Sequence, residues 1–184
     1  MIKKTFIFFG LLFCLNSCLS SKRNNEYVHD FLTMNKIDFS KKYFTLYNEN
    51  DINFSRIKKN KAYYILRNGL TFQIVVFSED RFIYETPLMN LTMLEKPFPP
   101  IKLGRSSYFL VINNVLKTES KAPTLGNSHS IIEEGDIKKD TIVMKKRYNV
   151  RAAKNEQKLF EEYILFPEIN VYIIGDDYFI ERKK

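Results

Sequence analysis

The chain has 184 residues, and its 29 Lys and Arg against 21 Asp and Glu give a formal net charge of 29 − 21 = +8. This length suits one domain rather than two. With 45% hydrophobic residues, 27% charged residues and only six Gly and six Pro, the composition excludes a disordered or collagen-like chain. Two Cys and two His exclude a disulfide-dense scaffold and a zinc-finger fold.

The N-terminal residues have the pattern of an export signal. Lys3 and Lys4 precede an uncharged, mostly apolar run over residues 5–15. A helix of that length covers roughly 17 Å, well short of the ~30 Å hydrocarbon core of a bilayer. The run is therefore typical of a secretory signal peptide rather than a membrane span, and we predict that residues 1–17 are removed.

A short motif, Leu15-Asn16-Ser17-Cys18, follows this run. It resembles the lipobox of bacterial lipoprotein precursors, in which an aliphatic residue and two mostly small residues precede a Cys; Asn16 departs from the usual small residue. The resemblance implies that the chain is cut before Cys18, that a lipid is attached to its sulfur and that its new amine is acylated. Several acyl chains hold a protein stably at a bilayer. An ordinary secretory peptide with a chance Cys is the alternative.

Removal of residues 1–17 changes the charge and the thiol content. The loss of Lys3, Lys4 and Cys14 leaves 27 − 21 = +6 and, with Cys18 lipidated, no free Cys. This suits the oxidising cell envelope. We predict no metal, no cofactor and, because the chain is exported, no nucleic-acid partner.

The location of the anchored chain follows from the same resemblance. Residues 18–25 are polar beyond the Cys and predict a flexible tether. Leu19, rather than an acidic residue, follows the Cys, which implies the periplasmic face of the outer membrane of a Gram-negative bacterium. The pattern looks like that of small uncharacterised β-rich lipoproteins of Bacteroidota.

Residues 26–184 are predicted to form a single mainly β domain after one short helix at 26–34, where apolar residues repeat with helical spacing. Asn68-Gly69 divides the β-rich run 61–77 and predicts a type I′ hairpin. A turn is predicted at 78–81. Further strands are predicted at 82–86, 108–112, 141–150, 171–174 and 178–182. This near-regular spacing predicts an antiparallel meander that forms a small barrel or a sandwich.

Three segments lack a clear strand pattern. Residues 89–104 are predicted to be a loop, because Pro97, Pro99 and Pro100 remove backbone donors that a sheet needs. Residues 122–140 are mostly polar and predict no strand. Residues 152–166 fit either an amphipathic helix or a turn at 154–157 followed by a strand; β-rich runs on both sides favour the strand.

The sequence contains none of the common hydrolase, metalloprotease, P-loop or dinucleotide motifs, so an enzyme is not expected. Ser128-His129-Ser130 is predicted to lie in a loop and His29-Asp30 to be a solvated pair. The Lys-rich spots 56–61 and 145–147 are predicted to be solvated faces. Acidic clusters at 79–80, 133–136 and 176–177 are predicted to be turns.

Asp140-Thr141-Ile142 resembles the Asp-Ser/Thr-aliphatic motif of O-glycosylation in the Bacteroidota periplasm, which makes Thr141 a candidate for modification. The leading functional hypothesis is a lipid-anchored envelope protein that serves as an interaction or accessory module. The alternative is a lipocalin-like carrier with an apolar ligand inside a small barrel. An envelope hydrolase is the third hypothesis.

Overall fold

The computed structural model describes residues 26–27, 29–30, 33–34, 36–48, 56–122, 129–150 and 152–183. The predicted signal peptide, Cys18 and the tether lie outside these residues. The helical elements are α1 (Lys36–Tyr43) and 3₁₀ turns at Thr45–Asn48 and Leu91–Glu95. The strands are β1 (Ala62–Arg67), β2 (Thr71–Phe77), β3 (Phe82–Glu85), β4 (Met89–Asn90), β5 (Phe98–Lys102), β6 (Gly104–Ile112), β7 (Val115–Ala122), β8 (His129–Lys138), β9 (Thr141–Asn149), β10 (Ala152–Leu165), β11 (Asn170–Ile174) and β12 (Asp177–Arg182).

Eight antiparallel strands close into a barrel in the order β1-β2-β3-β6-β7-β8-β9-β10. The ring closes at β1, where Tyr63 lies opposite Val75 of β2 and Leu165 of β10. The short strand β4 adds to the edge of β2. The prediction of a mainly β antiparallel meander is confirmed, and of the two predicted architectures the chain adopts the barrel.

Asparagine and glycine form the tight turns between neighbouring strands. Asn68 and Gly69 have φ angles of 52° and 67° between β1 and β2, which confirms the predicted hairpin. Asn113 and Asn114, with φ angles of 49° and 70°, turn β6 into β7. Strand β7 has no predicted counterpart, because only its first two residues form an apolar run.

The proline-rich segment 89–104 is not a loop throughout, so that prediction is wrong. Phe98–Lys102 forms β5, which pairs with β12 of the confirmed C-terminal hairpin. Pro99 and Pro100 fit there because β5 lies at the edge of the three-stranded sheet β11-β12-β5 and its register with β12 is irregular. A strand edge tolerates missing donors.

Residues 122–140 also contain a strand that the sequence does not predict. β8 pairs along its length with β7 and β9, and Gly135 lies at a register shift opposite Met144. A Cβ at Gly135 would come within 2.6 Å of the Val143 carbonyl oxygen, so only glycine lets these strands approach. The sequence pattern of β8 does not predict a strand, because charged side chains project from both of its faces.

The ambiguous segment 152–166 is strand β10, as favoured, and the helical alternative is wrong. The predicted turn at 154–157 is not there, because β10 already begins at Ala152, opposite Asn149. The register with β9 shifts between Ala152 and Gln157. Residues 154–157 therefore lie at a β-bulge, which interrupts the regular hydrogen-bond ladder as a turn would.

An outer hydrophobic layer covers part of the barrel wall. Phe72, Ile74 and Val76 project outward from β2, and Phe39 and Phe44 belong to the same buried cluster. Phe44 stacks on Tyr108 with ring centroids 5.4 Å apart. The segment 36–48 therefore contributes core-forming side chains against the outside of the barrel.

The described residues between 26 and 33 are helical, in agreement with the predicted helix at 26–34. Helix α1 is an additional helix that the sequence analysis did not predict. His29 is exposed as predicted, but Asp30 is buried, so the pair is not wholly solvated. Hydrogen bonds from Lys42 Nζ at 2.6 Å and the Tyr43 hydroxyl at 2.7 Å lower the pKa of Asp30 to about 2. No helix among the described residues is long and apolar enough to cross a bilayer.

Glu119 joins the N-terminal segment to the barrel. Its side chain on β7 is fully buried and faces outward. It accepts hydrogen bonds from the Leu46 backbone N–H at 2.9 Å and the Thr45 hydroxyl at 3.0 Å, and Lys121 Nζ lies 3.3 Å from it. Because a buried carboxylate needs such partners, Glu119 fixes where residues 45–46 attach.

Candidate functional site

The barrel interior, called the lumen below, is lined by alternate residues of each strand. On β2, Gln73, Val75 and Phe77 face the lumen while their neighbours join the outer layer. Most inward positions on the other strands follow the same alternation. Since β2 is buried on both faces, the direction of its side chains depends on barrel closure rather than on its own hydrophobic pattern.

One end of the lumen, the packed half, is filled by hydrophobic side chains. Phe77 and Phe109 meet edge to face with ring centroids 5.1 Å apart. The same buried cluster also contains Val111, Leu116, Ile142 and Met144. These buried side chains pack against one another inside this half of the lumen.

The other end, the polar half, holds a cavity of about 170 Å³. At roughly 30 Å³ per molecule, that volume equals the liquid share of about six waters. Most of its wall is polar or charged, and Val75 and Ile83 form its apolar floor. The polar lining residues are Arg67, Gln73, Glu85, Ser107, Thr118, Ser120, Glu133 and Tyr163.

Two ion pairs organise this wall. Arg67 pairs with Glu161, and its Nε donates to Gln73 Oε1 at 3.1 Å. Between the neighbouring strands β9 and β8, Arg147 Nε donates to Glu133 at 2.7 Å. The side chains of Arg67 and Arg147 are 24% and 37% exposed, so solvent reaches this end of the barrel.

Two hydroxyl-bearing side chains line the cavity although their residues are almost fully buried. Tyr163 and Thr118 are only 5% and 4% exposed, and both belong to the cavity wall. Buried polar groups are normally hydrogen-bonded, because leaving them unpaired costs about 1–3 kcal/mol. The one buried cavity-side carboxylate oxygen without a hydrogen-bond partner among the described residues belongs to Glu161.

Burial shapes the acid–base properties of the cavity. It raises the pKa of the Glu85 carboxyl, and the negative charge of Glu133 raises it further, while Arg67 and a hydrogen bond with Ser106 act in the opposite direction. Burial also raises the pKa of the Tyr163 hydroxyl, so this phenol stays protonated. In the residues that the structure covers, no three His, Cys, Asp or Glu side chains are grouped to hold a metal ion.

The residues singled out in the sequence lie away from this cavity, with the exceptions of Arg147 and Glu133. Thr141 begins β9 beside the β8–β9 turn, next to Asp140, whose carboxylate accepts a hydrogen bond from Lys58 at 2.5 Å. His129 begins strand β8 rather than lying in a loop, and Ser130 is buried. Arg147, predicted to belong to a solvated face, instead pairs with Glu133 over the lumen.

The prediction that the acidic clusters form turns is only partly confirmed. Glu79 and Asp80 form the β2–β3 turn as predicted. Glu133 and Glu134 instead lie in β8, one beside the cavity and the other bonded to Tyr148 on the opposite face. Their opposite directions follow from strand alternation, which the sequence signals only once β8 is recognised as a strand.

The sequence analysis assigned no polar residue to a cavity wall, and it expected Glu133 in a turn. The available signal was a polar residue at a strand position bounded by apolar ones, such as Gln73 within Phe72–Phe77. A barrel with a polar half-lumen and two ion pairs is the geometry from which function has to be argued. The chain matches no protein-family model, no curated protein and no solved structure.

Proposed function

We propose that this protein is a lipid-anchored envelope protein whose barrel binds a small polar ligand in the polar half of the lumen. The observation that carries the proposal is the cavity of about 170 Å³, whose mostly polar wall includes Arg67, Glu85 and the nearly buried Tyr163 and Thr118. The barrel fold is compatible with a lipocalin-like carrier. The lining supports a polar ligand rather than the apolar one first expected, because an apolar ligand would desolvate Arg67 and Glu85.

The anchor is the second part of the proposal and is supported by the lipobox-like residues Leu15–Cys18. Replacement of Cys18 by Ala should abolish lipidation and release the protein from the membrane fraction, because the acyl chains hold it there. Intact-mass spectrometry of both forms measures this directly. A wild-type chain without acyl groups would contradict the anchor and leave the barrel's role unaffected.

An interaction module, the first hypothesis from the sequence, is supported by a different observation. Phe160 on β10 is 90% exposed, and Leu66 and Leu70 at the β1–β2 hairpin are 49% and 75% exposed. Arg67 pairs with Glu161, which brings β1 and β10 together at the polar end of the barrel. Exposed apolar side chains near a binding cavity would suit a partner that delivers or receives the ligand.

Removal of the two hydroxyls tests ligand binding. Tyr163→Phe and Thr118→Val should each weaken binding of a small polar ligand by roughly threefold to tenfold, the value of one hydrogen bond. Each substitution keeps the approximate size of the side chain and should lower stability by no more than about 1.5 kcal/mol, the upper value of one hydrogen bond. Binding is measured by NMR shifts of lumen residues with a panel of polyols, amines, amino acids and short carboxylic acids, and stability by urea unfolding.

Two controls separate this result from a structural effect. Tyr172→Phe removes a hydroxyl on β11, outside the barrel, and Phe160→Ala truncates an exposed side chain; both should bind as the wild type does. A loss of stability in Tyr163→Phe and Thr118→Val without a change in binding would contradict the proposal. So would a panel in which no compound shifts the lumen resonances.

A further inference from the structure

The charges of the polar half do not balance. The cavity wall holds two carboxylates, on Glu85 and Glu133, and one guanidinium group, on Arg67. The ion-pair partners of Arg67 and Glu133, which are Glu161 and Arg147, add one charge of each sign. The formal sum is 2 − 3 = −1. An anionic ligand would add to this excess, whereas a cationic ligand would neutralise it.

The two guanidinium groups are already engaged. Arg147 is bound to Glu133, and Arg67 is bound to Glu161 and to Gln73. Glu85 is left without an ion-pair partner among the described residues, although the charge of Arg67 acts on it, and the Ser106 hydroxyl donates to the Ile83 carbonyl oxygen at 3.2 Å. The uncompensated charge therefore lies on Glu85, within the cavity wall.

Further oxygen atoms lie near this carboxylate. The charges of Glu133, Arg67, Glu161 and Glu85 act on the Tyr163 hydroxyl, so this hydroxyl lies among them. One oxygen of Glu161 is buried without a hydrogen-bond partner. This oxygen and the Glu85 carboxylate can each accept a hydrogen bond from a donor in the cavity.

We propose that the polar half of the lumen binds a small organic cation, a primary ammonium compound of about six non-hydrogen atoms, with Glu85 as its counter-charge and the Tyr163 and Thr118 hydroxyls as hydrogen-bond partners. This inference rests on the proposed ligand-binding function and specifies the ligand class. An ammonium group carries three donors and no acceptor, which matches a wall rich in oxygen acceptors. The absence of a metal-binding group among the described residues favours an organic cation.

Binding of such a cation is coupled to pH through Glu85. The charged and titratable groups around it are Arg67 on β1, Glu133 on β8, Arg147 on β9 and Glu161 and Tyr163 on β10. Burial raises the pKa of Glu85, so the empty site holds this carboxyl protonated at a higher pH than usual. A bound ammonium group favours the carboxylate, and affinity for the cation therefore rises as the pH rises through this pKa.

Three compounds of matched size test the ligand class. Serinol is a cation at neutral pH, glycerol replaces its ammonium group with a hydroxyl, and glycerate is an anion. Serinol should bind at least about tenfold more tightly than either of the others, as expected for a charge-assisted hydrogen bond. Binding is measured at pH 5 and pH 8 by NMR shifts of lumen residues, with stronger serinol binding at pH 8.

Glu85→Gln is the decisive variant, because it keeps the size and shape of the side chain, removes its charge and replaces one acceptor oxygen by an NH₂ donor. It should weaken serinol binding about tenfold, leave glycerol binding unchanged and abolish the difference between pH 5 and pH 8. Glu79→Gln is the matched control: Glu79 pairs with Lys59 Nζ at 2.6 Å in the β2–β3 turn, at the packed end of the barrel. It should bind all three compounds as the wild type does.

The possible outcomes separate the two proposals. If glycerol or glycerate binds as tightly as serinol, or if Glu85→Gln leaves serinol binding unchanged, the cation is the wrong ligand class while the ligand-binding lumen stands. If none of the three compounds and no compound of the wider panel shifts the lumen resonances, both proposals are contradicted. Urea unfolding of Glu85→Gln checks that this variant is folded, so that a lost preference for serinol is caused by the changed site.

Discussion

Phe109→Ala should lower the free energy of unfolding by about 3–5 kcal/mol, the usual cost of a deleted core aromatic ring. Phe109 is fully buried at the centre of the packed half, where its ring meets Phe77 edge to face. The β-strands around it belong to a closed ring and cannot move in to fill the space. The loss therefore includes both the buried ring surface and the cavity that remains. Urea unfolding measures the change.

Phe160→Ala is the matched control for this experiment. It removes the same ring from a side chain that is 90% exposed, and its unfolding free energy should stay within about 0.5 kcal/mol of the wild type. A Phe109→Ala protein as stable as this control would show that the packed half does not hold the barrel together.

Glu119→Ala should destabilise the protein by about 3–5 kcal/mol, as is typical when one member of a buried, hydrogen-bonded charge pair is removed. The Leu46 N–H and the Thr45 hydroxyl would lose their acceptor, and Lys121 would lose its carboxylate. Because the first two groups lie in the N-terminal segment, we expect faster hydrogen exchange in residues 36–48 as well. Unfolding in urea and exchange measured by mass spectrometry check the two effects.

Glu79→Ala controls for the loss of a carboxylate. Glu79 is 65% exposed and pairs with Lys59 at the surface, where such pairs contribute about 0–1 kcal/mol. Equal effects of the two substitutions would mean that Glu119 does not attach the N-terminal segment. An unchanged exchange rate in residues 36–48 would lead to the same conclusion.

Local signals in the sequence were enough to predict most of the barrel. Asn68-Gly69 identified its first hairpin, because few other residues accept two successive positive φ angles. Strand β5 was missed because its partner β12 is distant in the chain, whereas β7 and β8 pair with their neighbours in sequence and were missed because polar side chains mask their apolar pattern. Pro99 and Pro100 argue against a strand unless β12 is known to provide a neighbour for an edge.

The cavity was beyond the reach of the sequence for a geometric reason. Gln73 in a half-buried strand ordinarily faces solvent, but here the outward face of β2 is covered by the outer hydrophobic layer. Gln73 of β2 therefore points into the barrel. Arg147 and Glu133 are 14 residues apart and become partners only through the β8–β9 register. The alternation of polar and apolar residues along such a strand does not show which of its two faces will point into the barrel.

The pairing of β1 with β10 has a consequence for how the chain folds. Tyr63 and Leu165, which meet at the closure, are separated by 165 − 63 = 102 positions. The early hairpins can form from neighbouring residues, but the barrel cannot close until β10 has formed and paired with β1. Such distant contacts slow folding. A truncated chain lacking β10 would expose Ile65 and Val75 to water and would be prone to associate through its open strand edges.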